Sequence, residues 1–109
     1  MNMEITNEEG LTVVKVSGRL DATTAPDFEK RMTELIGGGS RKMALDLSVL
    51  EYISSAGLRG ILGTTKRLKA ENGKLVLCGP SGVVQEVITL SGFSSFLPIC
   101  KTVEEAKRL

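Results

Sequence analysis

The chain has 109 residues, 41% of them hydrophobic and 25% charged, with a formal net charge of +1. That balance fits one ordinary globular domain with a real core and leaves no room for a second. With no histidine, no tryptophan, one tyrosine and three phenylalanines, Ser-His-Asp hydrolysis, histidine phosphorelay and most zinc sites are removed, and no basic, aromatic-lined groove for nucleic acid is visible.

Met3 to Thr6 has weak strand character, and Asn7-Glu8-Glu9-Gly10 reads as a turn. Leu11 to Ser17, carrying Val13, Val14 and Val16, reads as a strand, so the chain opens with a hairpin. Gly18-Arg19-Leu20-Asp21 is expected to leave the sheet. Thr23, Thr24, Pro26 and Asp27 mark a helix start: a capping hydroxyl, a proline in the first turn and an early acid. Phe28, Met32, Leu35 and Ile36 give that helix its buried stripe, and Gly37-Gly38-Gly39-Ser40 ends it. Lys42 to Leu47 is a strand with Met43, Leu45 and Leu47 on one face and Asp46 on the other. A buried acid needs a partner; for Asp46 this is either a local hydrogen bond at the strand's end or a role as a charge near the turn that follows.

That turn is Tyr52-Ile53-Ser54-Ser55-Ala56-Gly57-Leu58-Arg59-Gly60. The helix leaving it buries Leu58, Ile61, Leu62, Thr65 and Leu68 on one face. Asn72-Gly73 stops it, with Gly73 suited to the left-handed position. Gly57, Gly60 and Gly63 are spaced by three along another ridge, each costing about 1 kcal/mol against alanine. Either close packing within the domain or a docking surface offsets that cost. Lys74 to Cys78 is a second buried strand, and Gly79-Pro80-Ser81-Gly82 turns the chain. Val83, Val84, Val87, Ile88 and Leu90 suggest a third helix, closed by Ser91-Gly92-Phe93. Phe96 to Cys100 is a last strand, placed at a sheet edge by Pro98. Thr102-Val103-Glu104-Glu105 is a capping box for a terminal helix docked through Val103, Ala106 and Leu109.

The order β-β-α-β-α-β-α-β-α over residues 1–109 predicts an α/β domain, with a mixed, largely parallel β-sheet covered by about four helices. Ligands and chemistry on such sheets gather at the carboxyl ends of strands, where Asp21 and Ser54-Ser55 are expected. The two serines admit two roles: capping the helix, or carrying a phosphate against its free N–H groups and positive dipole end. The G-x-S-x-G elbow and the Walker lysine motif are absent, and Gly37-Gly38-Gly39-Ser40 follows a helix rather than a strand. Cys78 and Cys100 form no C-x-x-C pair and read as reduced, apolar packing residues, with a disulfide or redox role as the lesser alternative. No apolar run approaches the roughly 18 residues of a membrane span, and the first residues lack a signal-peptide pattern; a cytoplasmic location without direct membrane insertion is expected.

Leu45-Asp46-Leu47-Ser48, Tyr52-Ile53-Ser54-Ser55-Ala56-Gly57-Leu58 and Ile61-Leu62 together resemble the signature of STAS domains, in particular the bacterial anti-sigma factor antagonists. Gly18 to Asp21 resembles the family's Gly-x-Leu/Ile-Asp turn, Leu75 to Cys78 its apolar strand, and Ser91-Gly92-Phe93 its Ser-Gly-Leu/Phe step. The resemblance covers nearly the whole chain. It implies a non-enzymatic, partner-switching regulator without cofactor or metal. The unphosphorylated antagonist binds an anti-sigma factor that is also a serine kinase with a histidine-kinase-like ATPase fold. The kinase phosphorylates it, and a PP2C-type phosphatase reverses the step. The acceptor falls on Ser55, with Ser54 as the alternative, and the family acid falls on Asp21. Asp21, Thr23, Ser54, Ala56, Gly57, Arg59, Gly60 and Gly63 are the implied partner surface. Ser54 stands where many members carry Asp, and Ala56 where many carry Ser or Thr. STAS domains also serve as interaction modules of membrane-associated or stress-sensing complexes, working without phosphorylation. Binding of a small nucleotide is a more distant alternative.

Overall fold

The opening residues fold back on themselves. Strands β1 (Asn2–Glu8) and β2 (Leu11–Leu20) pair antiparallel, from Asn2 opposite Ser17 to Glu8 opposite Leu11. Their two-residue turn has φ of 55° at Glu9 and 84° at Gly10, a left-handed pair whose twist matches that of the strands it joins. The structure is a computed structural model that describes residues 1–95 and 97–109.

After the hairpin come α1 (Ala25–Gly37), β3 (Lys42–Asp46), β4 (Leu50–Ile53), α2 (Ser55–Ala70), β5 (Lys74–Cys78) and α3 (Gly82–Ser91). A single 3₁₀ turn (Phe93–Ser95), β6 (Ile99–Cys100) and α4 (Val103–Ala106) complete the described elements. The sheet order is β1-β2-β3-β5-β6, with β4 paired to the far end of β2. Every pairing except β1–β2 is parallel. The expected mixed, largely parallel sheet is therefore present, with one strand more than the sequence pattern suggests.

That strand is β4. The pattern runs Lys42–Leu47 straight into the central helix, and has Gly18-Arg19-Leu20-Asp21 leave the sheet. Instead β3 stops at Asp46, a turn is closed by Leu50 N–H donating to Leu47 O at 3.2 Å, and β4 pairs with Gly18–Leu20. β2 thus stays in the sheet to Leu20, with a register shift between Gly18 and Arg19 where it changes partner. Leu50 and Ile53 are both buried, but their partner lies far upstream. A four-residue strand held by non-local pairing leaves little local signal.

The sheet's two faces are unequally covered. Val14, Val16, Met43, Leu45, Leu75 and Leu77 face α1, α2 and α3, meeting Phe28, Met32, Ile36, Ile61, Leu68, Val84 and Ile88. The opposite face presents Leu11, Val13, Ala44, Val76 and Cys78, packed with Ala106 of the short α4. In α2, Ile61, Thr65 and Leu68 are buried as expected, and Leu58 and Leu62 half-buried.

Some expected details differ. Asn72, not Gly73, takes the left-handed position after α2, with φ of 62°. Gly73 is required for space: a Cβ there would lie 2.5 Å from Arg41 O. In α3 only Val84 and Ile88 are buried, while Val83 and Leu90 face outward at 53% and 87% exposure. Leu109 is likewise exposed rather than docked. Thr102 caps α4 by accepting from Glu105 N–H at 3.1 Å, but Glu105 reaches back to Lys101 N–H rather than closing the reciprocal box. The last strand begins at Ile99; Pro98 precedes it at the sheet edge, and Phe96 lies outside the described residues.

Candidate partner-docking site

Parallel β2 and β4 place Leu20 opposite Ile53. The residues that follow them, Asp21 and Ser54, leave the sheet side by side, and Ser54 N–H donates to Leu20 O at 3.0 Å. The two segments singled out in the sequence thus meet at the carboxyl ends of neighbouring strands.

The serines divide the two roles between them. Ser54 is extended, with φ −102° and ψ 176°, and is the N-cap of α2. Its Oγ accepts from Gly57 N–H at 3.4 Å, and its carbonyl accepts from Leu58 N–H at 2.9 Å. Ser55 is the first helical residue and is exposed; among the described residues its hydroxyl has no hydrogen-bond partner. Ser54→Ala is expected to lower stability by about 1 kcal/mol through loss of the cap, and Ser55→Ala to stay within about 0.5 kcal/mol of the parent. Urea denaturation of the two variants checks this.

Asp21 organises the other segment. Its Oδ1 accepts from Thr23 N–H at 3.0 Å, Thr23 Oγ1 at 2.8 Å and Thr24 N–H at 3.3 Å. The start of α1 is held by this carboxylate and by Asp21 O, which accepts from Ala25 N–H at 2.8 Å. The capping hydroxyl expected of Thr24 is used otherwise: its Oγ1 donates to Arg19 O and accepts from Asp21 N–H, both at 2.9 Å. The Thr23 hydroxyl, the largest cause, and the neighbouring N–H groups hold the Asp21 carboxyl below its ordinary 3.8. A lowered acid favours the folded state above its ordinary value, and that contribution is lost as pH falls through the lowered one.

Arg19 and Tyr52 join this corner without having been singled out by the sequence. The Arg19 guanidinium lies 4.3 Å from the Tyr52 ring centre, and its Nε is 3.6 Å from Asp21 Oδ2. They meet because the two residues are register partners across β2 and β4. The only available signal was β4 itself.

The glycine ridge splits. Gly57 and Gly60 are buried, Gly57 against Leu20 and Ile53 and Gly60 against Phe28 and Glu29 of α1. For these two, close packing within the domain accounts for the glycine. Gly63 is exposed, with nothing within 4 Å of where a Cβ would stand. Arg59 is exposed and Ala56 half-buried. The outward line of α2 is therefore Ser55, Arg59 and Gly63, at intervals of one helical turn. Asp46 is met locally, its Oδ1 accepting from Ser48 N–H at 3.0 Å. Among the described residues no cluster of acids and cysteines could hold a metal ion, and no helix is long and apolar enough to cross a membrane.

Residues 2–106 match the STAS domain. The chain is 35% identical over 106 residues to BtrV of Bordetella bronchiseptica, named as a candidate anti-sigma factor antagonist, with 97% of this chain and 91% of BtrV covered. It is 28% identical over 104 residues to the anti-sigma-B factor antagonist of Staphylococcus aureus, covering 95% of this chain and 96% of that one. Its backbone is similar to that of Bacillus SpoIIAA in the phosphorylated form, with a TM-score of 0.75, 20% identity and 98% of each chain covered. A match of this length, on a mixed, largely parallel sheet in which β2 and β4 lead into Asp21 and the Ser54-Ser55 junction, shows that the chain belongs to the STAS domain family, among relatives named as anti-sigma factor antagonists.

Proposed function

We propose that this chain is a phosphorylatable anti-sigma factor antagonist, a non-enzymatic regulator whose switch is Ser55. Unphosphorylated, it binds an anti-sigma factor that is also a serine kinase of histidine-kinase-like ATPase fold. Phosphate on Ser55 ends that complex, and a PP2C-type phosphatase restores it. The observation that carries this reading is the division of labour at the junction. Ser54 already caps α2, so the exposed hydroxyl of Ser55 is left for chemistry. This favours Ser55 over Ser54 as the acceptor.

The local physics supports a switch without unfolding. A phosphate adds a charge of about −1.5 to −2. At the first residue of α2 it meets the helix's free N–H groups and positive dipole end. Arg59 stands one turn further along the same exposed line, within the reach typical of i, i+4 pairs. The first turn of α2 contains no charged side chain, so the modification turns a neutral turn negative. In a docking surface near Asp21, the same charge is costly to desolvate against a partner and repels any acid brought against it.

Intact mass and phosphopeptide mapping of the protein from its native cell test the proposal. The expected result is a species about 80 Da heavier, the mass of one added phosphoryl group, mapping to Ser55 and absent in Ser55→Ala. An unmodified protein under every growth condition, still recovered in a stable complex, would instead support an interaction module that works without phosphorylation.

A further inference from the structure

Cys78 closes β5 and Cys100 closes β6, and the two are register partners in parallel strands. Side chains of such partners leave the sheet on the same face. The spacing of neighbouring strands, about 4.7–4.9 Å, lies inside the range of about 4.4–6.8 Å over which two Cα atoms accept a disulfide. The sulfurs are 3.5 Å apart, and both cysteines are free thiols.

We propose that Cys78 and Cys100 are a peroxide-oxidisable pair that closes an intramolecular disulfide between the last two strands of the sheet. The two thiols differ in access. Cys100 is half-buried and borders an open groove of about 590 Å³ with Gly79, Pro80, Gln85, Ile99 and Lys101. Cys78 is 1% exposed. Burial, then the Cys100 thiol and the nearby charges of Asp46 and Glu105, push the Cys78 thiol up. Cys100 therefore reacts first and Cys78 resolves.

The chemistry balances with hydrogen peroxide as the oxidant. The Cys100 thiolate attacks one peroxide oxygen; the O–O bond breaks, leaving a sulfenic acid and a hydroxide that takes up the thiol proton as water. The Cys78 sulfur then attacks the Cys100 sulfur. The S–O bond breaks, and the leaving hydroxide carries off the Cys78 proton as a second water. Two thiols and one peroxide become one disulfide and two waters. The bond would tie the two-residue edge strand β6, and the segment leading into α4, to the body of the sheet. Neither cysteine belongs to the Ser55 surface, so this proposal stands or falls apart from the function proposed above.

The test treats the full-length protein with hydrogen peroxide, alkylates it under denaturing conditions and maps its peptides without reduction. The expected result is that two alkylatable thiols fall to none, with a Cys78–Cys100 linked peptide in monomeric protein, reversed by dithiothreitol. Cys100→Ser, at the accessible site, should leave Cys78 fully alkylatable after the same treatment. If Cys78→Ala does not fold, the wild-type map and Cys100→Ser still decide. Cys100 driven to sulfinic acid while Cys78 stays alkylatable, or Cys100 linking two chains, would overturn the proposal.

Discussion

Gly57→Ala is expected to destabilise the domain by about 1–3 kcal/mol, the usual range for an overpacked core, although alanine in a helix interior ordinarily gains about 1 kcal/mol over glycine. The added Cβ would stand 2.5 Å from Leu20 O and 2.8 Å from Ile53 Cγ1. A flexible side chain could move aside, but Leu20 O is backbone, and it accepts the Ser54 N–H that joins the two segments of the site. Moving it also disturbs the pairing of Leu20 with Ile53. Relief is therefore costly in either direction. Gly63→Ala, in open space six residues further along, is expected to stabilise by about 0.5–1 kcal/mol. Urea midpoints of the two variants should move in opposite directions. If both move up together, α2 does not approach β2 closely, and a docking surface rather than close packing accounts for Gly57.

These two glycines also show what the sequence could and could not say. A spacing of three put Gly57, Gly60 and Gly63 on one ridge, but a helix turns 100° per residue, so the ridge winds around it. Only the position of β2 and α1 decides which of the three is covered. Leu58, Ile61 and Leu68 were legible as an inward face because local periodicity reports burial directly. β4 was not legible, because its pairing with Gly18–Leu20 is non-local and its four residues present no alternation long enough to count. With β4 unseen, Arg19 and Tyr52 could not be joined to Asp21. The serines were legible as a junction, yet their separate roles depend on a single step of register: Ser54 is extended and turns its oxygen to Gly57 N–H, while Ser55 is already helical and faces outward. Helix boundaries are the least certain feature of a sequence pattern, and here one residue separates a cap from a candidate acceptor. A disulfide between the two cysteines was only the lesser reading for a similar reason, since the register of β5 against β6 is what brings the sulfurs together.

Ser55→Asp is expected to weaken binding to the anti-sigma factor by about 100-fold, equivalent to roughly 3 kcal/mol, while leaving the domain at least as stable as the parent. The two halves of that expectation pull apart causes that usually travel together. An acid in the first turn interacts favourably with the helix dipole by about 0.3–1 kcal/mol, and Ser55 is exposed, so the substitution buries nothing. Loss of binding with a raised or unchanged urea midpoint therefore isolates the charge in the interface from any damage to the fold. Ser55→Ala supplies the complement: no charge, a nearly unchanged domain, and parental affinity that no kinase can switch off. Ser54→Ala separates the second serine, because it should cost stability without changing how the complex responds to phosphate. Titration calorimetry with the anti-sigma factor that co-purifies with the unmodified protein measures all three. Parental affinity for Ser55→Asp would place the partner away from the α2 N-terminus.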